Sequence, residues 1–195
     1  MEIVIPQEIK GIIFDLDGTL ADTMPVHVAA WALVGDAFGV TVEPQMIYDR
    51  SGMPTVKVTE LLNQDYGWDL DPGLVKQAKD KAYKEIKPQM GVGLIQPIFE
   101  VAKAYKGKLP MSIGTGSTRI NAENTLLHLG IMDWFDPIIT ANDVTNHKPH
   151  PETYLKCAEL MGLKPKDCIV FEDAEFGIKA ALDAGMQVID VRKYV

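Results

Sequence analysis

The sequence predicts an α/β fold: a Rossmann-like parallel sheet core flanked by helices, with an inserted helical cap domain. Three observations predict it. Short apolar runs alternate with helix-spaced patterns through the second half of the chain. Glycines stand where those helices should stop. The first apolar run is separated from the next by about ninety residues, far more than one crossover needs.

Five runs read as buried strands: residues 11–14, 111–114, 137–140, 169–171 and 188–191. Between the later ones, apolar residues recur at helical spacing. Leu94, Ile95, Ile98, Val101, Ala102 and Tyr105 end at Gly107, and Leu126, Leu127 and Leu129 precede Gly130. Tyr154, Leu155, Ala158 and Met161 precede Gly162; Ile178, Ala181, Leu182 and Ala184 precede Gly185. Alternation of this kind implies parallel strands with helices on both faces. The long first connection is itself helical. Pro25 suits a helix start and Gly39 its end, while Val56, Val58, Leu61 and Leu62 suggest a second helix. A third is suggested by Leu74, Val75, Ala78, Ala82, Tyr83 and Ile86. The expected division is a catalytic core of residues 1–20 and 91–195 and a cap of residues 21–90.

The chain of 195 residues is long enough for one core and a small insertion, and its 47% hydrophobic content is that of a globular protein. A formal net charge of −8 argues against a nucleic-acid surface, though not against a small anionic substrate, which needs only a few local cations. Cys157 and Cys168 form neither a disulfide framework nor a CxxC pair for zinc and are expected to pack. No apolar run approaches about 18 residues, and the N-terminus lacks a signal pattern. The expectation is a cytoplasmic monomer with no membrane or nucleic-acid partner.

Open α/β sheets bind ligands beyond the carboxyl ends of their strands. The first such end is FDLDGTLADT, residues 14–23, where Asp15, Asp17 and Asp22 crowd against an apolar run. Out of water, like charges repel and each loses hydration. A turn can hold one capping aspartate; three imply a cation, a reaction, or both. The other ends carry GTGSTR (114–119), NDVTNHKPHPETY (142–154) and FEDAEFG (171–177).

These four motifs, in this order, resemble those of the haloacid dehalogenase superfamily of phosphotransferases, and the resemblance spans nearly the whole chain, helical insert included. GTGS, HKPHPETY and FEDAEFGI narrow it to the β-phosphoglucomutase-like branch, and within that to bacterial sugar-phosphate phosphatases of the fructose-1-phosphatase type. The resemblance implies a phosphatase for a small sugar phosphate. Asp15 would attack phosphorus and become an aspartyl phosphate. Asp17 would begin protonated, give its proton to the leaving oxygen and then take one from water. Thr115 and the Gly116 amide would bind phosphate oxygens, and Lys148 would neutralise the nucleophile and the phosphoryl group. Mg²⁺ would be held by Asp15, the Asp17 carbonyl and Asp173, with Glu172 either ligating or standing behind.

Other residues keep two readings. Asp22 is expected to cap the first helix rather than bind metal. His27 faces the substrate or packs beside Trp31, and His147 and His150 are expected to be structural. Arg50, in the cap loop RSGMPT (50–55), meets the sugar or faces solvent, with Ser51 as its alternative. Lys79 reaches the phosphate or is a solvated helix lysine. The competing activity is that of a β-phosphoglucomutase. Those enzymes resemble this chain but place an arginine three residues after a cap-loop glycine, where Thr55 follows Gly52 here. A dehalogenase is rejected, since that branch lacks an aspartate at the position of Asp17.

Overall fold

The computed structural model describes residues 3–194. Strands β1 (Gly11–Phe14), β2 (Met111–Gly114), β3 (Ile138–Ile139), β4 (Cys168–Glu172) and β5 (Gln187–Asp190) form one parallel sheet of order β3-β2-β1-β4-β5. The register pairs Phe14 with both Ile113 and Phe171, so β1 ends level with its two neighbours. Whatever follows β1 therefore lies at the centre of the sheet's carboxyl edge.

Side chains along a strand alternate faces. Ile12, Phe14, Ile113, Ile169 and Phe171 point to one side and pack with Ile98, Val101 and Ala102 of α5 (Gln96–Tyr105) and Ala122 and Leu126 of α6 (Arg119–His128). Ile13, Val170 and Ile139 point to the other, against Tyr154, Cys157 and Ala158 of α7 (Glu152–Leu160) and Ala180 and Ala181 of α8 (Glu175–Asp183). Both cysteines are buried free thiols in this second layer, as the sequence implies.

Between β1 and α5 the chain builds α1 (Met24–Phe38), α2 (Pro44–Tyr48), α3 (Thr55–Tyr66) and α4 (Pro72–Met90). Trp31, Val34, Ile47, Val58, Leu62 and Val75 form a core of their own there. Val26, Ala30, Ala82 and Tyr83 join α1 to α4. The chain leaves and returns at one point, where Ala21 bridges to Leu94 and the Asp22 amide donates to the Gly93 carbonyl at 3.0 Å.

Several local expectations are corrected. Leu94 is not helical: Pro97 sits in the first turn of α5, and Leu94 pairs with Ala21 instead. The five-residue α2 carries too short a pattern to be read from sequence. β3 holds only Ile138 and Ile139. Leu74, Leu127 and Leu182 are exposed and do not join the apolar faces assigned to them. Asp22 caps nothing; Thr23 occupies the N-cap of α1, with no side-chain cap. Among the described residues no helix is long and apolar enough to cross a membrane.

Leu62 is fully buried in the core of α1–α4. Leu62→Ala is expected to lower unfolding free energy by about 2–5 kcal/mol, as core truncations do, measured by urea denaturation.

Candidate active site

β1 leads directly into Asp15, which is 1% exposed, and β4 ends in Glu172, which is fully buried. The Lys148 ammonium, 2% exposed, lies between them. Its Nζ donates to Asp15 Oδ1 and to Glu172 Oε2, each at 2.7 Å. Burial would strip Lys148 of its proton, but the charges of Asp15 and Glu172 outweigh it and hold the ammonium firmly charged. Glu172 is saturated. Its Oε2 also accepts the Tyr154 hydroxyl, and its Oε1 accepts the amides of Asp173 at 3.2 Å and Ala174 at 3.0 Å.

Asp15 is not saturated: its Oδ2 is buried with no hydrogen-bond partner among the described residues. Burial, reinforced by the charge of Glu172 and opposed by Lys148, raises its proton affinity well above the usual range. Burial and Glu172 likewise push Asp173 up to about 7. Asp173 reaches inward because Gly18, at φ +86°, has no side chain; a Cβ there would lie 2.5 Å from Asp173 Oδ2. Oxygens of Asp15, Glu172 and Asp173 lie within 4.8 Å of one another. Three crowded carboxylates and an orphaned acceptor make a donor set for a hard cation.

Asp17, two residues on, has the opposite environment. Its Oδ1 accepts Thr23 Oγ1 at 2.6 Å and lies 3.3 Å from His27 Nε2, while its Oδ2 accepts Ser117 Oγ at 2.5 Å. Burial would raise its pKa, but His27, Ser117 and Thr23 together hold the carboxyl well below the usual range. The arrangement as it stands favours the carboxylate form of Asp17. His27 and Thr23 come from the insert. So does Lys79, which is 5% exposed, with its Nζ 2.8 Å from His27 Nδ1. Lys79 is thus no solvated helix lysine: it is buried over the Tyr83 ring, and burial pulls it down to about 8.

A cavity of about 450 Å³ opens onto Asp15 and Asp17 between sheet and insert. Its wall includes His27, Arg50, Lys79, Thr115, Gly116 and Ser117. The loop after α2 rests on the site: a Cβ on Gly116 would lie 2.3 Å from the Gly52 carbonyl oxygen. Arg50 reaches the wall but is engaged, pairing with Asp65 and donating to the Met46 carbonyl at 2.8 Å. Thr115 Oγ1 accepts the Ser117 amide at 3.0 Å.

The sequence profile of haloacid dehalogenase-like hydrolases matches residues 12–191. The chain belongs to that family. This haloacid dehalogenase-like hydrolase is 41% identical over 182 residues to fructose-1-phosphate phosphatase YqaB of Escherichia coli K12, covering 93% of this chain and 96% of that one. A crystal structure of a hydrolase from Pseudomonas syringae superposes with a TM-score of 0.83 at 26% identity, over 92% of this chain and 83% of that one. A β-phosphoglucomutase from Clostridium difficile superposes with a TM-score of 0.78 at 29% identity, over the same shares of the two chains.

The fold of this hydrolase gathers Asp15, Asp17, Thr115, Gly116, Lys148, Glu172 and Asp173 at one edge, with His27, Arg50 and Lys79 facing them from the insert. Trp31 serves the insert's core and also lines the cavity. His147 reaches the cavity wall, whereas His150 Nδ1 accepts the Glu152 amide at 3.3 Å. Sequence reasoning passed over Ser117, Thr23 and Tyr154. Tyr154 lies in the HKPHPETY motif but reads there only as part of an apolar helix face.

Gly177 on α8 shows how tightly Glu172 is held, since a Cβ there would fall 1.8 Å from its Oε2. Glu172 cannot swing aside without losing its donors. Gly177→Ala is expected to destabilise by about 1–3 kcal/mol, the cost of overpacking, despite alanine's better helix propensity; a more stable variant in urea would contradict the rigidity of Glu172.

Proposed function

We propose that this hydrolase is a Mg²⁺-dependent phosphatase acting on a small sugar phosphate such as fructose 1-phosphate, through an aspartyl phosphate on Asp15. The observation that carries the reading is the state of Asp15: buried, charge-compensated by Lys148, left with one unpartnered oxygen, and part of the lining of a cavity of about 450 Å³. The sugar follows from the relative named fructose-1-phosphate phosphatase, which aligns along almost its whole length.

In this reading the Asp15 carboxylate attacks phosphorus while Thr115 and the Gly116 amide hold phosphate oxygens. Lys148 neutralises charge on Asp15 and on the phosphoryl group. Asp15, the Asp17 main-chain carbonyl and Asp173 would hold Mg²⁺, which supplies positive charge against the phosphoryl oxygens. Glu172, already accepting four hydrogen bonds, stands behind these and fixes Lys148. Asp17 serves both half-reactions. The dianionic substrate raises its proton affinity, so that it can carry the proton given to the leaving oxygen. Once the sugar has gone, its carboxylate takes a proton from the water that attacks the aspartyl phosphate. Residues 21–90 act as a cap that closes over the core, excludes bulk water and presents His27, Arg50 and Lys79. The enzyme works as a cytoplasmic monomer.

Asp15→Asn should remove turnover by several powers of ten while leaving the fold intact, followed as phosphate release from a panel of sugar phosphates with Mg²⁺ and by circular dichroism. Excess chelator should abolish the wild-type activity and Mg²⁺ restore it. Phosphate trapped on a residue other than Asp15 would refute the assignment.

A mutase is the second reading, motivated by the shared core and the β-phosphoglucomutase neighbour. It must anchor a second phosphate. Thr55, at the start of α3, lines the cavity where the arginine would be needed, and Arg50 is tied to Asp65. A hydroxyl does not replace a bidentate guanidinium. With β-glucose 1-phosphate and a trace of the 1,6-bisphosphate, free phosphate is expected to outpace glucose 6-phosphate; the reverse would establish the mutase.

A further inference from the structure

Among the described residues three buried side-chain atoms have no hydrogen-bond partner: Asp15 Oδ2, His27 Nε2 and His147 Nδ1. All three residues line the cavity of about 450 Å³. Orphaned buried polar atoms are few in folded proteins and cost free energy, so their gathering around one cavity marks it as a place for a ligand. Two of the three residues have duties in the chemistry proposed above. Asp15 attacks phosphorus, and His27 faces Asp17, with Nε2 3.3 Å from Oδ1. His147 has no duty there, although its ring takes part in no hydrogen bond or ion pair among the described residues.

The loop that carries His147 is fixed on both sides of it. Before it, Glu152 accepts the amides of Thr145 at 2.9 Å and Asn146 at 2.8 Å, and the Asn146 side-chain amide at 2.9 Å. After it, Lys148 is anchored to Asp15 and Glu172, and the His150 amide donates to the His147 carbonyl at 2.9 Å. The imidazole is thus held at the cavity wall before any substrate arrives, one residue from the lysine that neutralises the phosphoryl group. Its two nitrogens differ. A buried N–H without an acceptor is rarer than a buried lone pair without a donor, so a neutral ring here carries its proton on Nε2. Nε2 lies outside the buried set and is left as a free donor.

The rest of the wall tells which part of a substrate meets that donor. On the insert side Lys57 is paired with Glu60 at 3.0 Å, Lys76 with Asp80 at 2.6 Å and Arg50 with Asp65, while Lys79 is buried against His27. On the core side Thr118, Asn121 and Asn142 are uncharged. Such a wall suits a neutral, hydroxylated tail better than a second anionic group. We propose that His147 is a specificity-determining residue, its imidazole donating to a hydroxyl of the sugar and so separating hydroxylated phosphate esters from plain ones. A site that leaves a polar group unpaired without the right ligand discriminates against esters that lack the hydroxyl. The inference rests on the sugar-phosphate reading given above.

The test compares kcat/KM for fructose 1-phosphate with that for p-nitrophenyl phosphate, which has no sugar hydroxyl, in the presence of Mg²⁺. His147→Phe keeps a ring and removes the donor. It should lower the preference for the sugar phosphate about three- to tenfold, the worth of one hydrogen bond, with the change carried by KM for the sugar phosphate and not by kcat. His147→Gln, which keeps a donor at a similar reach, should recover most of the preference. If the phenylalanine variant folds poorly, His147→Ala should move the ratio in the same direction. Equal losses on both substrates would show that His147 only steadies Lys148, and no loss on either would show that it does nothing; both overturn the contact and leave the phosphatase standing. Wild-type protein that hydrolyses p-nitrophenyl phosphate but no sugar phosphate would remove the sugar reading and this contact with it.

Discussion

A lysine ammonium shut away from water between two carboxylates organises this molecule. Removing an ion from water costs several kcal/mol even after relaxation, so Lys148, Asp15 and Glu172 must be brought together with good geometry or not at all. The sheet supplies that geometry. β1 and β4 are adjacent, end level, and deliver Asp15 and Glu172 side by side, while the loop after β3 brings Lys148 from the far edge. The remaining acceptor positions of Glu172 are filled by Tyr154 and two backbone amides, and α8 has a glycine where it crosses that carboxylate. What is left over is one oxygen of Asp15, and the chemistry of the site follows from that remainder.

Asp15 and Asp17 are two residues apart and chemically alike, yet their surroundings drive them apart. Asp15 is pressed toward protonation by burial and by Glu172, with Lys148 in opposition. Asp17 is held ionised by His27, Ser117 and Thr23, against its own burial. Divergent environments for paired carboxylates are how one site assigns distinct roles to identical groups. Here the difference has a topological source: the donors to Asp17 come partly from the insert and from the loop after β2, whereas the partners of Asp15 come from the sheet's own edge.

The sheet, its order of helices and the motif residues were legible because each rests on a local pattern. Apolar runs mark the strands, and glycines with φ near +70° stop helices at Gly39, Gly130 and Gly162. The carboxylates are conspicuous because such crowding has few peaceful explanations. Less legible was anything that depends on a side chain's neighbours across the chain. Lys79 looks like an ordinary helix lysine until α4 packs on α1 and buries it against His27 and Tyr83. Arg50 looks free until Asp65, fifteen residues on, claims it. Tyr154 looks like packing because its ring is packing; only its hydroxyl, reaching Glu172, adds a second duty. The short α2 escaped because five residues carry no periodicity to read.

Because the insert begins immediately after β1, Asp17 lies six residues from Thr23 and ten from His27 along a single stretch of chain. Two of the groups that keep Asp17 ionised therefore belong to the insert that covers the site. Any displacement that carries α1 away from the sheet also withdraws Thr23 and His27, and with them the influence of Lys79 behind His27. Access and acidity are thereby joined at one aspartate, with nothing between them beyond the turn after β1 and about one turn of helix.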